Sequence, residues 1–298
     1  MSLRKLSIKD KKYVDRFLAL RPHRLSSYAF ENIYIWKNLF DIYLAEIKDN
    51  LCVFFESKAG LFLYLPPMGE MRDAAVADRA FRIMDNRNKH RSVSRIENAE
   101  EEDIPFYKDI GYECVYKSCD YICKRADLAG LRGDRFKTKR KSANYFVKHY
   151  RFQYLPFSPE YKNGCLTLYD LWEKNRKREY SDSIYQAMLE DNRAALETML
   201  GACRSLDCAG RIVKLDGGIK GFTFGFKLND DVFCVLYEIT DLAVKGLAQF
   251  IFREFCRELK YRFINMMDDS GLENLRRVKL SYRPESCPSY IIRRKGAF

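Results

Sequence analysis

Charged residues in the C-terminal third of the chain occupy positions that suit acid–base chemistry. Glu238 follows residues 232–237, in which both alternating sets of side chains are apolar, as in a central buried strand. We expect a carboxylate at the end of such a strand to face a cleft, where burial and neighbouring charges can tune it as a base or an amine-binding group. Asp241 comes three residues later, and it suits either the same chemistry or the N-cap of the next helix.

Cations and a glycine follow these carboxylates in the sequence. Lys245 and Gly246 open a predicted helix, where free backbone N–H groups favour a phosphate and a glycine permits close approach. Arg276 and Lys279 lie on a later predicted helix, and they could stabilise negative charge that develops in a reaction. Their alternative role is to offset the helix dipole near its C-terminal end.

The densest positive charge lies near the middle of the chain. Residues 132–151 contain eight Lys or Arg and a single acidic residue, Asp134. Apolar residues recur there at helical spacing, so one side of a helix can be buried while Lys137 and Lys141 stay exposed. Together with Arg140, this face could hold phosphates of tRNA or a nucleotide in a salt-dependent manner. The alternative is an interdomain helix whose outer face is only solvated.

The cysteines and histidines indicate neither a disulfide framework nor a metal centre. The ten cysteines include no CxxC pair, and the three histidines are far from one another and from any cysteine at ligand spacing. We therefore predict reduced, mostly buried thiols and no metal site.

The composition is that of a folded protein with room for two domains. The 298 residues are 47% hydrophobic and 32% charged, and a domain typically takes roughly 100–200 residues. The formal net charge of +12 predicts attraction to polyanions such as RNA, nucleotides or anionic lipid. No apolar run approaches the roughly 18 residues of a transmembrane segment. The charged N-terminus does not resemble a signal peptide, so we expect a cytoplasmic location.

The two halves of the chain show a similar order of predicted elements: a three-stranded meander, a helix, a strand, a helix and a last strand. In the first half these are strands 42–47, 51–55 and 61–65, helix 71–84, strand 93–96, helix 100–110 and strand 113–123. In the second half, helices 160–178 and 184–200 precede strands 209–215, 220–228 and 232–239, helix 242–260, strand 263–266, helix 272–281 and strand 289–293. This is the order of the GNAT acyltransferase fold. We therefore predict a mixed α/β protein with two tandem GNAT-like domains, 1–125 and 126–298, and the active site in the second.

Several segments also carry a family resemblance over nearly the whole chain. They are the run from Ser27 to Trp36, Lys139-Arg140-Lys141 with Asn144 and Phe146, Glu238 with Asp241 and Gly246, and the run from Asn265 to Pro284. Together they resemble proteins related to the C-terminal domain of bacterial phosphatidylglycerol lysyltransferases. Ser281 stands where those enzymes have a second basic residue after the one matched by Lys279. The resemblance implies a tandem GNAT-like fold and a transferase that uses an aminoacyl-tRNA donor.

We therefore expect an acyl- or aminoacyltransferase that moves an aminoacyl group from aminoacyl-tRNA to an amine or hydroxyl of a small-molecule, peptide or lipid acceptor. No tightly bound cofactor is expected. The expected catalytic residues are Glu238, Asp241 and Lys279, and the expected donor-binding residues are Lys137, Arg140, Lys141, Lys245, Gly246 and Arg276.

Two alternative functions fit the same residues. One is an acyl-CoA-dependent N-acyltransferase, in which Lys245 and Gly246 would contact the pyrophosphate. The other is a non-catalytic RNA- or protein-binding module with a degenerate transferase fold.

Overall fold

The computed structural model describes residues 3–296, which form two compact units. Unit 1 contains the described part of Met1–Asp120, together with Asp268–Arg276 and the described part of Ser286–Phe298. Unit 2 contains Tyr121–Met267 and Arg277–Glu285. Two segments that the linear division assigned to the second domain thus pack within unit 1.

Helices and strands are interspersed along the chain, as in a mixed α/β protein. As far as residue 124 they are β1 (Arg4–Lys5), α1 (Lys11–Leu18), α2 (Phe30–Tyr34), β2 (Asp41–Ile47), β3 (Asn50–Ser57), β4 (Gly60–Leu63), α3 (Ala74–Arg87), β5 (Ile96–Glu100), α4 (Ile104–Asp109) and β6 (Tyr112–Lys124). Then follow α5 (Arg125–Gly130), α6 (Lys137–His149), β7 (Gln153–Pro156), α7 (Lys162–Glu179), α8 (Ser183–Ala202), β8 (Ala209–Leu215), β9 (Gly218–Lys227), β10 (Val232–Thr240), α9 (Leu247–Glu258), β11 (Phe263–Asn265), α10 (Glu273–Leu280) and β12 (Glu285–Arg294). Among the described residues, no helix is long and apolar enough to cross a bilayer.

In unit 1 the strands lie in the order β1-β2-β3-β4-β5-β12, followed by residues 112–120 of β6. The β2–β3 hairpin turns at Lys48 and Asp49, which both have positive φ, as a two-residue turn that follows the strand twist requires. β4 and β5 are parallel and pair at Leu63 and Ile96. β12 returns from the C-terminal end of the chain and pairs antiparallel with β5.

In unit 2 residues 121–124 of β6 are followed by β11, β10, β9, β8 and β7. β10 and β11 are parallel, and their ladder ends at the pair Cys234 and Asn265. β10 continues against β9 as far as Thr240, with a β-bulge between Val235 and Tyr237. The end of β10 therefore lies beyond its pairing with β11, and the bulge redirects its side chains.

Helix α6 is held in unit 2 by an apolar cluster. Ala143 and Phe146 of α6 pack with Leu247, Phe250 and Ile251 of α9, and with two residues of β8. Val147, which the helical spacing assigned to the same face, is 47% exposed. The cluster fixes which side of α6 faces the interior of unit 2.

Candidate active site

Glu238 lies on β10, past the last pair with β11 and directly after the β-bulge. Its neighbours Tyr237 and Ile239 are buried, whereas the Glu238 side chain is exposed. Protein atoms still surround the carboxyl group closely, and this desolvation raises the pKa of Glu238 to about 8. A side chain on the floor of a cleft has both properties, because water reaches it while the surrounding protein reduces its hydration.

Two ammonium groups act on the Glu238 carboxyl group. The charges of Lys139 and Lys279 both lower the pKa of Glu238 and so oppose the larger effect of desolvation. Lys279 donates a hydrogen bond to the carbonyl oxygen of Met266, 2.7 Å away and directly after β11. This hydrogen bond holds the Lys279 ammonium group next to the C-terminal end of β11. Helix α6 supplies Lys139, so three separate elements bring these charges together.

The surroundings of Lys139 are aromatic and partly desolvated. Its ammonium nitrogen lies 3.6 Å from the centroid of the Tyr282 ring and donates a hydrogen bond of 2.7 Å to the Ser281 hydroxyl. Desolvation lowers the pKa of Lys139, although the charges of Glu238 and Cys123 act in the opposite direction. The pKa values of Glu238 and Lys139 therefore move towards each other, as those of acid–base groups in active sites often do.

Two uncharged side chains, those of Tyr282 and Cys256, lie beside these charges. Tyr282 and Cys256 are buried, and burial raises the pKa of each well above its usual value, with a further contribution from the Glu238 charge. The Tyr282 ring packs edge-to-face on Phe252 with centroids 5.2 Å apart. The phenol and the thiol therefore stay protonated at neutral pH, whereas the pKa of Glu238 is about 8.

Asp241 has separate partners. One carboxylate oxygen lies 2.8 Å from the Lys220 ammonium, and the other accepts a hydrogen bond of 3.0 Å from the Ala243 N–H. Desolvation pushes the pKa of Asp241 upward, but these two partners outweigh it and keep the pKa below its ordinary value. Asp241 does not cap the predicted helix, because α9 begins at Leu247 with Gly246 as its N-cap residue.

Gly246 is required by packing between two helices. Its φ is +84°, and a Cβ atom at this position would lie 2.1 Å from the Ser142 carbonyl oxygen of α6. The glycine therefore permits close contact with the backbone of α6, whereas the sequence predicted close contact with a phosphate. The neighbouring Lys245 is exposed, with its ammonium nitrogen 4.8 Å from the centroid of the Tyr145 ring.

The basic residues of α6 have different surroundings. Lys137 and Lys141 are exposed on the side opposite Ala143 and Phe146, and neither has an ion-pair partner within residues 3–296. Arg140 donates to the carbonyl oxygens of Leu131 and Gly133, and it thereby fixes the loop before α6.

Arg276 is an exposed residue of α10 that belongs to unit 1, where its charge acts on Tyr116. Of the nine predicted site residues, the structure brings together Glu238 and Lys279. Lys139 was not among the predicted site residues. The available signal was its position four and seven residues before Ala143 and Phe146, which places it on the buried side of the predicted helix.

Unit 1 has a parallel strand pair of the same kind, but side chains span the region beyond it. The Asn98 side-chain amide donates to the Tyr64 carbonyl oxygen, 2.9 Å away. Lys117 donates to the carboxylate of Glu97 at 2.5 Å and to Asn98 at 2.8 Å. This network lies beyond the Leu63–Ile96 pair of β4 and β5.

Comparison with known proteins shows both a family and a fold. The family described as the C-terminal part of phosphatidylglycerol lysyltransferase matches residues 18–293. A conserved protein of unknown function from Bacteroides thetaiotaomicron is 26% identical, with a TM-score of 0.87, over 98% of this chain and 99% of that chain. No protein of curated function matches the chain significantly.

Two further solved structures resemble the fold. L-PGS from Bacillus licheniformis is 17% identical with a TM-score of 0.65, over 98% of this chain and 93% of that chain. A tandem GNAT protein from the clavulanic acid biosynthesis pathway is 9% identical with a TM-score of 0.51, over 97% of both chains. The predicted mixed α/β, GNAT-like fold is confirmed.

Proposed function

The chain belongs to the family of phosphatidylglycerol lysyltransferase C-terminal domains, and on this premise we propose that it transfers an aminoacyl group from aminoacyl-tRNA to an amine or hydroxyl acceptor. One observation carries the proposal: Glu238 is exposed on β10 past the last pair with β11, and the charges of Lys139 and Lys279 both act on its carboxyl group. Family membership and the GNAT-like fold support the acyl-transfer class.

The proposed reaction needs a base and a cationic environment. The lone pair of the acceptor nitrogen or oxygen attacks the ester carbonyl carbon, and the ionised Glu238 takes the proton that the acceptor loses. The negative charge that develops on the carbonyl oxygen is stabilised by Lys279, with Lys139 contributing positive potential. The ester C–O bond then breaks, and the tRNA ribose oxygen leaves with the proton held by Glu238.

The raised pKa of Glu238 suits this role near neutral pH. A general base works best when its pKa lies close to the working pH, because it must be both ionised and basic. With a pKa of about 8, the ionised fraction of Glu238 increases across the range from pH 7 to pH 9. Transfer is therefore expected to accelerate with pH in this range and to level off above it.

The proposed tRNA contact lies on the same helix as one of the site cations. Lys137, Lys141 and Lys148 are exposed on α6, whereas Lys139 of that helix reaches Tyr282 in the interior of unit 2. A tRNA backbone on the exposed face would be held by counterion-releasing phosphate contacts.

The test is aminoacyl transfer by the Glu238→Gln variant, which keeps the shape of the side chain but cannot accept a proton. Aminoacyl-tRNA is incubated with amines, peptides and phosphatidylglycerol vesicles, and transfer of the labelled aminoacyl group is measured from pH 6 to pH 9. We expect the variant to lose about 10²–10⁴-fold in rate and to lose the increase with pH.

Glu160→Gln is the matched control, because Glu160 is an exposed residue of unit 2 outside the site. It should transfer at the wild-type rate. Full activity of Glu238→Gln would refute the assignment of the base. Absence of transfer to every acceptor, together with thermal stabilisation by coenzyme A, would favour the acyl-CoA alternative.

A further inference from the structure

A cavity of about 480 Å³ in unit 1 lies outside the site described above. Its lining comes from the end of α3, the segment that leads into β5 and the end of β12. The volume is within the range of roughly 300–1,000 Å³ that small-molecule sites occupy. Its size and concave lining therefore suit a small ligand.

The charges at the cavity are strongly unbalanced. Four cations line it, namely Lys89, Arg91, Arg294 and Lys295, whereas its acidic group is Asp85. The hydroxyl-bearing residues Ser92 and Ser94 also belong to the lining. Cations and hydroxyls together provide many hydrogen-bond donors, so the lining is complementary to an anion that offers several acceptor oxygens.

One of the four cations is held rigidly at the cavity. Arg294 forms ion pairs with Asp85 at 2.5 Å and with Asp78 at 3.5 Å, and its guanidinium carbon lies 5.3 Å from the centroid of the buried Phe81 ring. A pre-positioned guanidinium loses little freedom when a ligand binds, which favours affinity.

The other cations leave the positive charge unneutralised. Lys89 and Arg91 are exposed, and neither forms an ion pair with a described residue. Lys295 is also exposed, and its charge acts on Glu113. The end of α3 contributes some negative potential, but this falls off within the last turn of a helix. A net positive potential therefore remains at the cavity.

We propose that this cavity binds a small soluble phosphate monoester. A phosphate monoester carries a charge of about −1.5 to −2 at neutral pH and presents three acceptor oxygens, which matches the surplus of cations. The ester group distinguishes this ligand from free phosphate, because a cavity of about 480 Å³ has room for an organic group beside the phosphate. The concave shape distinguishes the site from the exposed face of α6, where an extended polyanion can lie along the helix.

The experiment is calorimetric titration of the full chain with glycerol 3-phosphate in about 0.15 M salt, where long-range attraction is screened. The double variant Lys89→Gln, Arg91→Gln is compared with Lys9→Gln, Lys12→Gln, which removes the same charge from exposed positions elsewhere in unit 1. We expect saturable binding to the wild type, a loss of affinity of at least about tenfold in the first variant, and wild-type affinity in the second.

Three results would overturn the proposal. Equal losses in both double variants would mean that the ligand senses only the overall charge. Inorganic phosphate that binds as tightly as the ester would show that the organic part makes no contact. Displacement of glycerol 3-phosphate by tRNA, with tRNA binding lost in the Lys89→Gln, Arg91→Gln variant, would assign the cavity to RNA. Each readout is a binding measurement and is independent of transferase activity.

Discussion

The pKa of Glu238 results from two opposing effects on one carboxyl group. Desolvation raises the pKa, and the positive charges of Lys139 and Lys279 lower it by a smaller amount. The ordinary reason for a carboxylate beside two lysines would be ion pairing, which would give a depressed pKa. A raised pKa in this setting therefore indicates that the position costs stability, as is common for groups retained for chemistry.

This cost can be measured as a pH-dependent difference in stability between the wild type and Glu238→Gln. The folded-state pKa of about 8 lies above the ordinary value of 4.5, so the folded state binds the Glu238 proton more tightly than the unfolded state does. The contribution is fully present below the unfolded pKa and is lost as pH increases through the folded pKa. Thermal unfolding should show the variant gaining stability relative to the wild type between pH 5 and pH 9.

The control for this measurement is again Glu160→Gln, which removes an exposed carboxylate of unit 2 outside the site. A Glu238→Gln variant that loses relative stability as pH increases would show that the ion pairs outweigh desolvation. The pKa of Glu238 would then be depressed, and its proposed role as a base near neutral pH would be wrong.

At the scale of helices and strands, α6 and α9 determine whether Lys139 reaches the site. Gly246 allows the start of α9 to contact the Ser142 carbonyl of α6, and the apolar cluster around Phe146 holds the two helices together. Lys139 is then directed to Tyr282 from the buried side of α6. The position of one ammonium group therefore depends on the packing of two helices.

The variant Gly246→Ala tests this packing. It should lose about 1–3 kcal/mol of unfolding free energy, because alanine is strained at positive φ and its Cβ would overlap backbone that cannot rotate away. Gly217→Ala is the matched control, since Gly217 has a φ of +79° and nothing lies within 4 Å of the added Cβ. Denaturant unfolding should show the larger loss for Gly246→Ala. Equal losses would mean that only the φ angle matters.

Local sequence patterns predicted most of the helices and strands, and they predicted two residues that the structure brings together, Glu238 and Lys279. The apolar run before Glu238 predicted β10, and the observed strand, Val232–Thr240, agrees closely. The predicted helix 242–260 begins in the structure at Leu247, five residues later than expected. Before the helix starts, Asp241 accepts a hydrogen bond from the Ala243 N–H, and Gly246 adopts a left-handed conformation. Lys139 was missed because a periodic pattern identifies a buried face but does not identify the distant charge that a lysine on that face will meet.

At the scale of the whole molecule, neither compact unit is one continuous stretch of the sequence. Residues 268–276 and 286–296 belong to unit 1 although they follow nearly all of unit 2 in sequence. Strand β12 pairs with β5, so that Ser289 lies opposite Glu100. Such long-range pairing depends on contacts between distant segments, and periodicity within a short window carries no information about them.

The chain has a formal net charge of +12, which favours binding of tRNA. We expect tRNA to bind at the exposed face of α6. The triple variant Lys137→Gln, Lys141→Gln, Lys148→Gln should bind tRNA more weakly. Each phosphate contact adds roughly 0.7–0.9 to the slope of log affinity against log salt, so the slope should decrease by about 2–3. The control variant Lys9→Gln, Lys12→Gln, Lys58→Gln removes the same charge from exposed residues of unit 1. If filter binding at several salt concentrations gives the same slope for both variants, tRNA responds to net charge alone, and the α6 face is not its binding site.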